Sequence, residues 1–174
     1  MSAMINYLDE LEIGVCRTIN QVGNVRPIRG FFALASRLGD WYFWVGMGAV
    51  LFAIQGASAL PAIGVMIVTF LVGLGIYRFL KTRLVRERPF VADQGIRCGT
   101  APLDRYSFPS GHTLHAVCFA ILLPQCEPVL TLVCAPFATI VAMSRVVLGL
   151  HYPTDVIVGA AIGASLALLA QPFI

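Results

Sequence analysis

Eight residues between positions 81 and 155 have side-chain or backbone groups suited to phosphate chemistry. They are Lys81, Arg88, Ser110, Gly111, His112, Arg145, His151 and Asp155. A guanidinium matches phosphate oxygens in a bidentate way, and a lysine adds a point charge. A histidine can attack phosphorus or give a proton to a departing oxygen. These residue types together predict a site for phosphoryl transfer.

The stretch Pro109-Ser110-Gly111-His112 opens an apolar segment. Ser110 is therefore predicted to be the N-cap of a helix, with His112 in its first turn. The N–H groups and the positive end of the dipole at such a helix start attract anions. The stretch predicts an anion site with an imidazole beside it.

His151 and Asp155 are four residues apart, and Pro153 suits the first position of a helix that begins between them and continues past Asp155. One interpretation is that the Asp155 carboxylate completes the helix N-terminus. The other is that it accepts the Nδ1–H of His151 and leaves Nε2 free to attack. The nearby cations and His112 favour the second interpretation. One histidine would then attack phosphorus while the other, protonated, serves the leaving oxygen, but spacing does not tell which does which.

The remaining polar residues have plainer interpretations. Four further arginines are predicted to be loop charges that set membrane topology: Arg83, Arg86, Arg97 and Arg105. His115 lies one turn beyond His112 in an apolar helix and is predicted to be a packing residue. The rival hypothesis is a metal site made of His112, His115, His151 and Asp155. Three nearby cations oppose a divalent ion there, so no metal is expected.

The composition is that of a membrane protein with one domain. Of the 174 residues 58% are hydrophobic and only 12% are charged, and the mean hydropathy is +0.82. Stretches long enough to cross a bilayer recur along the chain. No cleaved signal sequence is expected at the N-terminus. The five cysteines have no spacing typical of a disulfide framework or a zinc site, and Cys98 alone lies in a polar loop.

The hydropathy pattern predicts an all-α integral membrane helix bundle of five to six transmembrane helices. The expected spans are Trp41–Ala57, Pro61–Lys81, Thr113–Pro124, Val129–Met143 and Val156–Phe173. Glycines such as Gly64, Gly73 and Gly75 are expected at helix contacts. Residues 1–26 are predicted to form an amphipathic helix, either in the membrane interface or packed on the bundle. A loop over residues 82–109 is long enough to suggest a functional role at the active site.

Alternating span directions bring four helix ends to one side of the membrane. These are the end of the second span, the start of the third, the end of the fourth and the start of the fifth. All eight candidate residues lie at or near these ends. The sequence therefore predicts one polar site at that side of the helix bundle. It disfavours a transporter or channel, because the interiors of the spans carry no charged residue away from that end.

At these residues the sequence resembles the type 2 phosphatidic-acid phosphatase family, which shares its core with vanadium haloperoxidases and bacterial acid phosphatases. Three motifs carry the resemblance: Lys81 with Arg88-Pro89, then Pro109-Ser110-Gly111-His112, then Ser144-Arg145 with His151 and Asp155. The resemblance implies that His151 is the nucleophile, Asp155 its orienting partner and His112 the general acid. It also implies a phosphate-binding set without a metal: Lys81, Arg88, Ser110, Gly111 and Arg145.

The resemblance further implies a lipid-linked phosphate as substrate. Undecaprenyl pyrophosphate is favoured, because no inserted domain is present to recognise a bulky head group. The alternatives are phosphatidylglycerophosphate, phosphatidic acid, a lipid A phosphate, a lipid phosphotransferase reaction, and a phospholipid-binding protein without catalysis. The expected partners are the lipid substrate and membrane lipids, not nucleic acid, and the oligomeric state stays open.

The expected location is a bacterial inner membrane. Every Lys and Arg falls on the active-site side of the five-span arrangement, whereas the opposite side offers only Glu127. Positive loops favour the cytoplasm, so the charges favour a cytoplasmic active site, although bacterial relatives commonly face the periplasm.

Overall fold

The computed structural model describes residues 2–174, and side chains from residue 10 onward. Within that range every regular element is a helix. The longer ones are α1 (Ser2–Val22), α2 (Arg26–Leu38), α3 (Tyr42–Gln55), α4 (Leu60–Arg83), α6 (Gly111–Cys126), α7 (Thr131–Val147) and α8 (Pro153–Ala170), with a single turn, α5 (Pro89–Ala92), before α6. The all-α prediction is confirmed, and each expected span coincides closely with one helix.

Among residues 2–174, three helical runs are long and apolar enough to cross a membrane: Tyr42–Arg83, Pro128–Val147 and Pro153–Phe173. The first run has 42 residues and joins α3 to α4 through a 3₁₀ turn at Gly56–Ala59. Helix α6 has 16 residues, fewer than the ~20 that a 30 Å hydrocarbon core requires. The count of five to six spanning helices is therefore not confirmed.

Helices α6 and α8 pack closely because α8 carries glycines at the contact. A Cβ at Gly163 would lie 2.2 Å from the carbonyl oxygen of Leu114, and one at Gly159 would lie 2.5 Å from that of Ser110. Close approach at paired small residues is common between membrane helices. This contact fixes the start of α6 against the start of α8.

Of the three glycines predicted to lie at helix contacts, one does and two do not. A Cβ at Gly73 would lie 3.0 Å from the Leu114 side chain, so that prediction is confirmed. The predictions for Gly64 and Gly75 are wrong, because nothing lies within 4 Å of a Cβ at either position. Both face outward from α4, where neighbours such as Ile67 are also largely exposed.

Helix α1 packs on the bundle along one face. Cys16 and Asn20 are buried, and the Asn20 amide donates to the carbonyls of Arg97 (2.9 Å) and Val147 (3.0 Å). Leu11 and Val15, on the predicted apolar face, remain about half exposed. The helix therefore has a second apolar face free for lipid, and its place in the membrane interface stays a prediction.

Candidate active site

Six of the eight predicted site residues line one cavity of about 880 Å³. They are Lys81 from α4, Arg88 from the following loop, Gly111 and His112 from α6, Arg145 from α7 and His151 from the α7–α8 connection. The convergence of helix ends predicted from alternating span directions is therefore confirmed.

Ser110 does not face this cavity. It is fully buried as the N-cap of α6, and its hydroxyl accepts the Thr113 N–H at 3.4 Å, as predicted. Its own N–H donates to the carbonyl of Asp155 at 3.0 Å. Ser110 thus positions α6 against α8, and its direct contact with phosphate remains only a prediction.

Gly111 meets the cavity where the chain passes the Tyr77 ring. A Cβ at Gly111 would lie 3.0 Å from that ring, closer than side chains normally approach. A glycine is therefore required for α6 to begin beside α4 at this depth.

Asp155 caps α8 and approaches His151 as well. Its Oδ2 accepts the Tyr152 N–H at 2.9 Å, which is the helix-capping interpretation. The same oxygen lies 3.5 Å from Nδ1 of His151, longer than a strong hydrogen bond. The structure thus shows the helix-capping interpretation, whereas Nδ1 of His151 is buried without a hydrogen-bond partner in the described chain, so the orienting role of Asp155 stays a prediction.

His151 is buried with its two ring nitrogens in different surroundings. Nε2 lies 3.5 Å from Nη1 of Arg88 at the cavity, opposite the nitrogen that faces Asp155. Burial, followed by the charges of Arg145, Arg88 and Lys81, holds the pKa of His151 well below its usual value of 6.5. The imidazole is therefore neutral at pH 7, the form in which it can act as a nucleophile.

The lysine and arginine at the cavity hold a carboxylate that sequence analysis did not single out. Oδ1 of Asp104 accepts from Nζ of Lys81 at 2.5 Å and from Nη2 of Arg88 at 2.8 Å, and Oδ2 accepts from the Tyr77 hydroxyl. Burial alone would raise the pKa of Asp104, but the bonds from Lys81 and Tyr77 and the charges of Lys81 and Arg88 outweigh it. The pKa is lowered, so Asp104 stays ionised.

Two of the arginines that line the cavity, Arg88 and Arg145, are held by hydrogen bonds to groups behind them. Nη1 of Arg88 donates to the carbonyl of Leu150 at 2.8 Å, and Nη1 of Arg145 donates to the Ser36 hydroxyl. Nε of Arg145 is buried with no hydrogen-bond partner among the residues that the structure describes. A ligand oxygen at this point would satisfy a donor that is costly to leave unpaired.

Arg86 is not a mere loop charge, so that prediction is wrong. Its Nη1 donates to Oδ1 of Asp155 at 2.8 Å, its Nη2 donates to Oε2 of Glu12 at 2.6 Å, and its guanidinium lies 3.8 Å from the centre of the Tyr152 ring. Glu12 also accepts the Thr154 N–H at 2.7 Å. Helix α1 is thereby tied to the carboxylate that faces His151.

His112 faces a carboxylate that the sequence analysis also missed. Oδ1 of Asp40, in the α2–α3 connection, lies 2.5 Å from Nε2 of His112. One turn farther along α6, His115 is buried with its ring 4.5 Å from that of Phe70, in line with the predicted packing role. Its Nε2, however, has no hydrogen-bond partner in the described chain, and the residue also lines the cavity. Over the described part of the chain, no group of three His, Cys, Asp or Glu side chains is placed to hold a metal ion.

A second cavity, of about 500 Å³, lies between α3 and α4. It is lined almost entirely by apolar side chains, among them Trp44, Phe52 and Ile67. Asp40, Trp41 and Phe70 line both cavities, so the apolar groove and the polar cavity adjoin.

Two relatives of known name are similar to this chain in sequence. Decaprenylphosphoryl-5-phosphoribose phosphatase of Mycolicibacterium smegmatis is 42% identical over 82 residues, which are 46% of this chain and 42% of that protein. Undecaprenyl-diphosphatase of Sulfolobus acidocaldarius is 27% identical over 149 residues, 84% of this chain and 70% of that protein. The chain thus spans less than half the length of the first relative and over two thirds of the second.

The fold has a solved counterpart. The crystal structure of LpxE from Aquifex aeolicus superimposes with a TM-score of 0.74 at 26% identity, covering 94% of this chain and 96% of that one. The long apolar helices and these relatives make the chain an integral membrane protein. The family model of the PAP2 superfamily matches residues 59–173, and the chain therefore belongs to that superfamily.

Proposed function

We propose that this lipid phosphatase of the PAP2 superfamily hydrolyses undecaprenyl pyrophosphate to undecaprenyl phosphate, through a phospho-histidine formed on His151. The surroundings of His151 carry the proposal. One ring nitrogen approaches Arg88 at the cavity and the other approaches Asp155, each at 3.5 Å. The depressed pKa keeps the ring neutral and able to attack.

In the first step, Nε2 of His151 forms a bond to the terminal phosphorus as the bond to the lipid phosphate oxygen breaks. The departing oxygen receives a proton from His112. Lys81, Arg88 and Arg145 stabilise the charge on the equatorial oxygens. The buried Nε of Arg145 supports this role, because it is a donor with no protein partner in the described chain.

In the second step, water attacks the phosphorus of the phospho-histidine. His112, now neutral, accepts the proton of that water as the bond from phosphorus to Nε2 breaks. Phosphate leaves and His151 returns to its neutral state. Asp155 holds the ring throughout and offsets the positive charge that it carries when phosphorylated.

The lipid part of the substrate is proposed to lie in the apolar groove between α3 and α4. This groove adjoins the polar cavity at Asp40, Trp41 and Phe70, so a chain leaving the phosphate can enter it directly. A hydrocarbon chain is the occupant that such an apolar lining favours.

A phosphate monoester on a polyprenyl-linked sugar is the second candidate substrate. The relative with that activity in its name, from Mycolicibacterium smegmatis, is 42% identical over 82 residues. The polar cavity of about 880 Å³ has room for more than one phosphate group. The same cations could also bind other lipid phosphates, namely phosphatidylglycerophosphate, phosphatidic acid and a lipid A phosphate. A lipid phosphotransferase reaction is a further alternative, because a phospho-histidine can pass its phosphate to an alcohol instead of water.

The active site is proposed to face the cytoplasm of a bacterial inner membrane. In the five-span arrangement predicted from sequence every Lys and Arg lies on the active-site side, and Arg78 and Arg105 line the cavity itself. Positive loops favour the cytoplasmic side.

Phosphate release by the purified protein in detergent tests the proposal. The substrates are undecaprenyl pyrophosphate, decaprenylphosphoryl-5-phosphoribose, phosphatidylglycerophosphate, phosphatidic acid and a lipid A phosphate, each with and without chelator. Release from the first, lost in His151→Ala and indifferent to chelator, supports the proposal. Faster release from another lipid overturns the substrate assignment. Full turnover by His151→Ala removes His151 from its role. No release from any lipid, with or without an acceptor alcohol, favours a binding protein.

A further inference from the structure

Asp40 contacts the proposed general acid from outside the segment that the family model matches. It lies in the short connection between α2 and α3, before residues 59–173. Its Oδ1 is 2.5 Å from Nε2 of His112, an ion-pair contact in which this oxygen is not aligned for a hydrogen bond, and both side chains line the polar cavity. The contact is well shielded, since the side chains are 24% and 11% exposed.

The surroundings of His112 make such a carboxylate necessary for acid catalysis. Lys81 on α4 and Arg145 on α7 both act on the His112 ring, and both are positive. An imidazolium buried among cations that bind phosphate is disfavoured by burial and by like charge. Asp40 is the neighbour that favours the protonated form, but burial and the charge of Arg145 outweigh it and lower the pKa of His112 to about 4. The imidazolium therefore needs both Asp40 and the negative charge of a bound substrate phosphate. His115 and His151, the other imidazoles at the cavity, add no negative charge.

The other two carboxylates of the site are engaged elsewhere. Asp104 is held by Lys81 and Arg88, and Asp155 by Arg86 and the Tyr152 N–H. Their charge is therefore directed at the phosphate-binding and nucleophile groups. Asp40 is the carboxylate that approaches His112.

We propose that Asp40 is a positioning residue for proton transfer: once the substrate phosphate is bound, it holds His112 as an imidazolium that directs Nε2–H at Asp40 and gives Nδ1–H to the leaving oxygen. The proton moves from Nδ1 to the oxygen as the bond from phosphorus to that oxygen breaks. His112 is then neutral, with Nε2–H still directed at Asp40. In the second step Nδ1 recovers a proton from the attacking water. This inference rests on the proposed phospho-histidine reaction.

The alternative is that Asp40 only stabilises the turn between α2 and α3. The two roles predict different effects on the rate when Asp40 is removed, depending on the leaving group of the substrate. An alkoxide needs a proton as it departs, whereas a nitrophenoxide leaves without one. A structural role would slow both substrates alike.

The experiment compares dodecyl phosphate with 4-nitrophenyl phosphate in wild type, Asp40→Asn, Asp40→Glu and His112→Ala. Asp40→Asn is expected to lower kcat/KM on dodecyl phosphate by about tenfold or more, against a total general-acid contribution of about 10²–10⁴. Its kcat/KM on 4-nitrophenyl phosphate should change little, because kcat/KM reports the first step and not the water attack that both substrates share. His112→Ala lacks the general acid, so it should show the largest difference in rate loss between the two substrates. Asp40→Glu should recover part of the rate on dodecyl phosphate.

Asp93→Asn is the matched control, because Asp93 pairs with the exposed Arg17 and lies outside the cavity. It should behave as wild type on both substrates. Equal losses on both substrates in Asp40→Asn, or no loss on dodecyl phosphate, overturn the proposal. His151→Ala tests the proposed function separately and should be inactive on both substrates. An active His151→Ala contradicts the phospho-histidine and with it the role proposed for Asp40, whereas failure of the Asp40 prediction with an inactive His151→Ala overturns the role of Asp40 alone.

Discussion

Nζ of Lys81 lies 2.5 Å from Oδ1 of Asp104, and Nη2 of Arg88 lies 2.8 Å from the same oxygen. A protein carboxylate thus sits between two cations that we propose to bind phosphate. Phosphate oxygens and the Asp104 carboxylate need the same N–H donors. Substrate binding must therefore displace or share this carboxylate.

Asp104→Asn is accordingly expected to strengthen binding of inorganic phosphate. A hydrogen bond to a charged group contributes about 1.5–3 kcal/mol, so removing the competing charge should lower the phosphate inhibition constant by roughly tenfold. Competitive inhibition of lipid-phosphate hydrolysis measures that constant. Asp93→Asn, which neutralises a carboxylate outside the cavity, should leave it unchanged. A higher inhibition constant in Asp104→Asn would show instead that Asp104 holds the cations in place for phosphate.

The acidic limb of the pH profile should report His151. Burial and the charges of Arg145, Arg88 and Lys81 depress the pKa of His151 below 6.5, and the nucleophile is the neutral form. Activity is therefore retained above the depressed pKa, and the acidic limb of kcat/KM should lie below pH 6.5. Lys81→Met removes one of the cations, so its acidic limb should move upward, toward pH 6.5. A wild-type limb above pH 6.5 would contradict a neutral, desolvated His151.

The site residues that could be predicted from the sequence are those that can be recognised by their residue type and spacing alone. Lys81, Arg88 and Arg145 lie at helix ends that hydropathy places together, and the N-cap role of Ser110 follows from its position before an apolar run. The helices were predicted for the same reason, because apolar length is visible in one dimension. The number of helices that cross a bilayer cannot be seen in the sequence, because α6 is short and whether it spans depends on the helices around it.

The carboxylates were missed because their partners are set by tertiary packing. Asp104 lies in an aperiodic loop 23 residues from Lys81, and Glu12 is 74 residues from Arg86. No repeat or motif connects such positions. The only sequence signal for Asp104 is its place in the long polar loop that runs into Pro109, and for Asp40 its place just before an apolar span.

Glu12→Gln should weaken both the fold and catalysis. Glu12 binds Arg86 at 2.6 Å and the Thr154 N–H at 2.7 Å, and Arg86 in turn binds Asp155 at 2.8 Å. Losing the charge should cost roughly 1.5–3 kcal/mol of unfolding free energy, the range for a charged hydrogen bond in a shielded place. Thermal unfolding in detergent measures this loss, and kcat should fall at nearly constant KM.

Glu10→Gln is the control for Glu12→Gln. Glu10 lies on the same helix, α1, but is exposed, and substitutions at exposed positions usually change stability little. A lower stability with unchanged kcat in Glu12→Gln would mean that α1 supports the fold without acting on Asp155.

Arg145→Lys should impair turnover although the charge is kept. Nη1 of Arg145 donates to Ser36 while Nε has no partner within the described chain, so the planar group can bind the protein and a phosphate oxygen together. A lysine lacks this fork, and kcat/KM should fall by about tenfold or more. Steady-state kinetics on the preferred lipid, with Arg37→Lys at an exposed position of α2 as control, measures the effect. Unchanged kinetics would mean that only the charge is needed.

Labelling of Cys98 should reveal which side of the membrane the active site faces. Cys98 is an exposed free thiol in the loop between α4 and α6, the loop that supplies Arg88 and Asp104 to the cavity, whereas Cys16, Cys118 and Cys134 are buried. If the positive loops face the cytoplasm, a membrane-impermeant maleimide should label Cys98 only after the cells are permeabilised. Cys98→Ser should remove the signal and so identify its source. Labelling of intact spheroplasts would place the cavity on the outer face, and the cations of the loop would then reflect phosphate binding rather than topology.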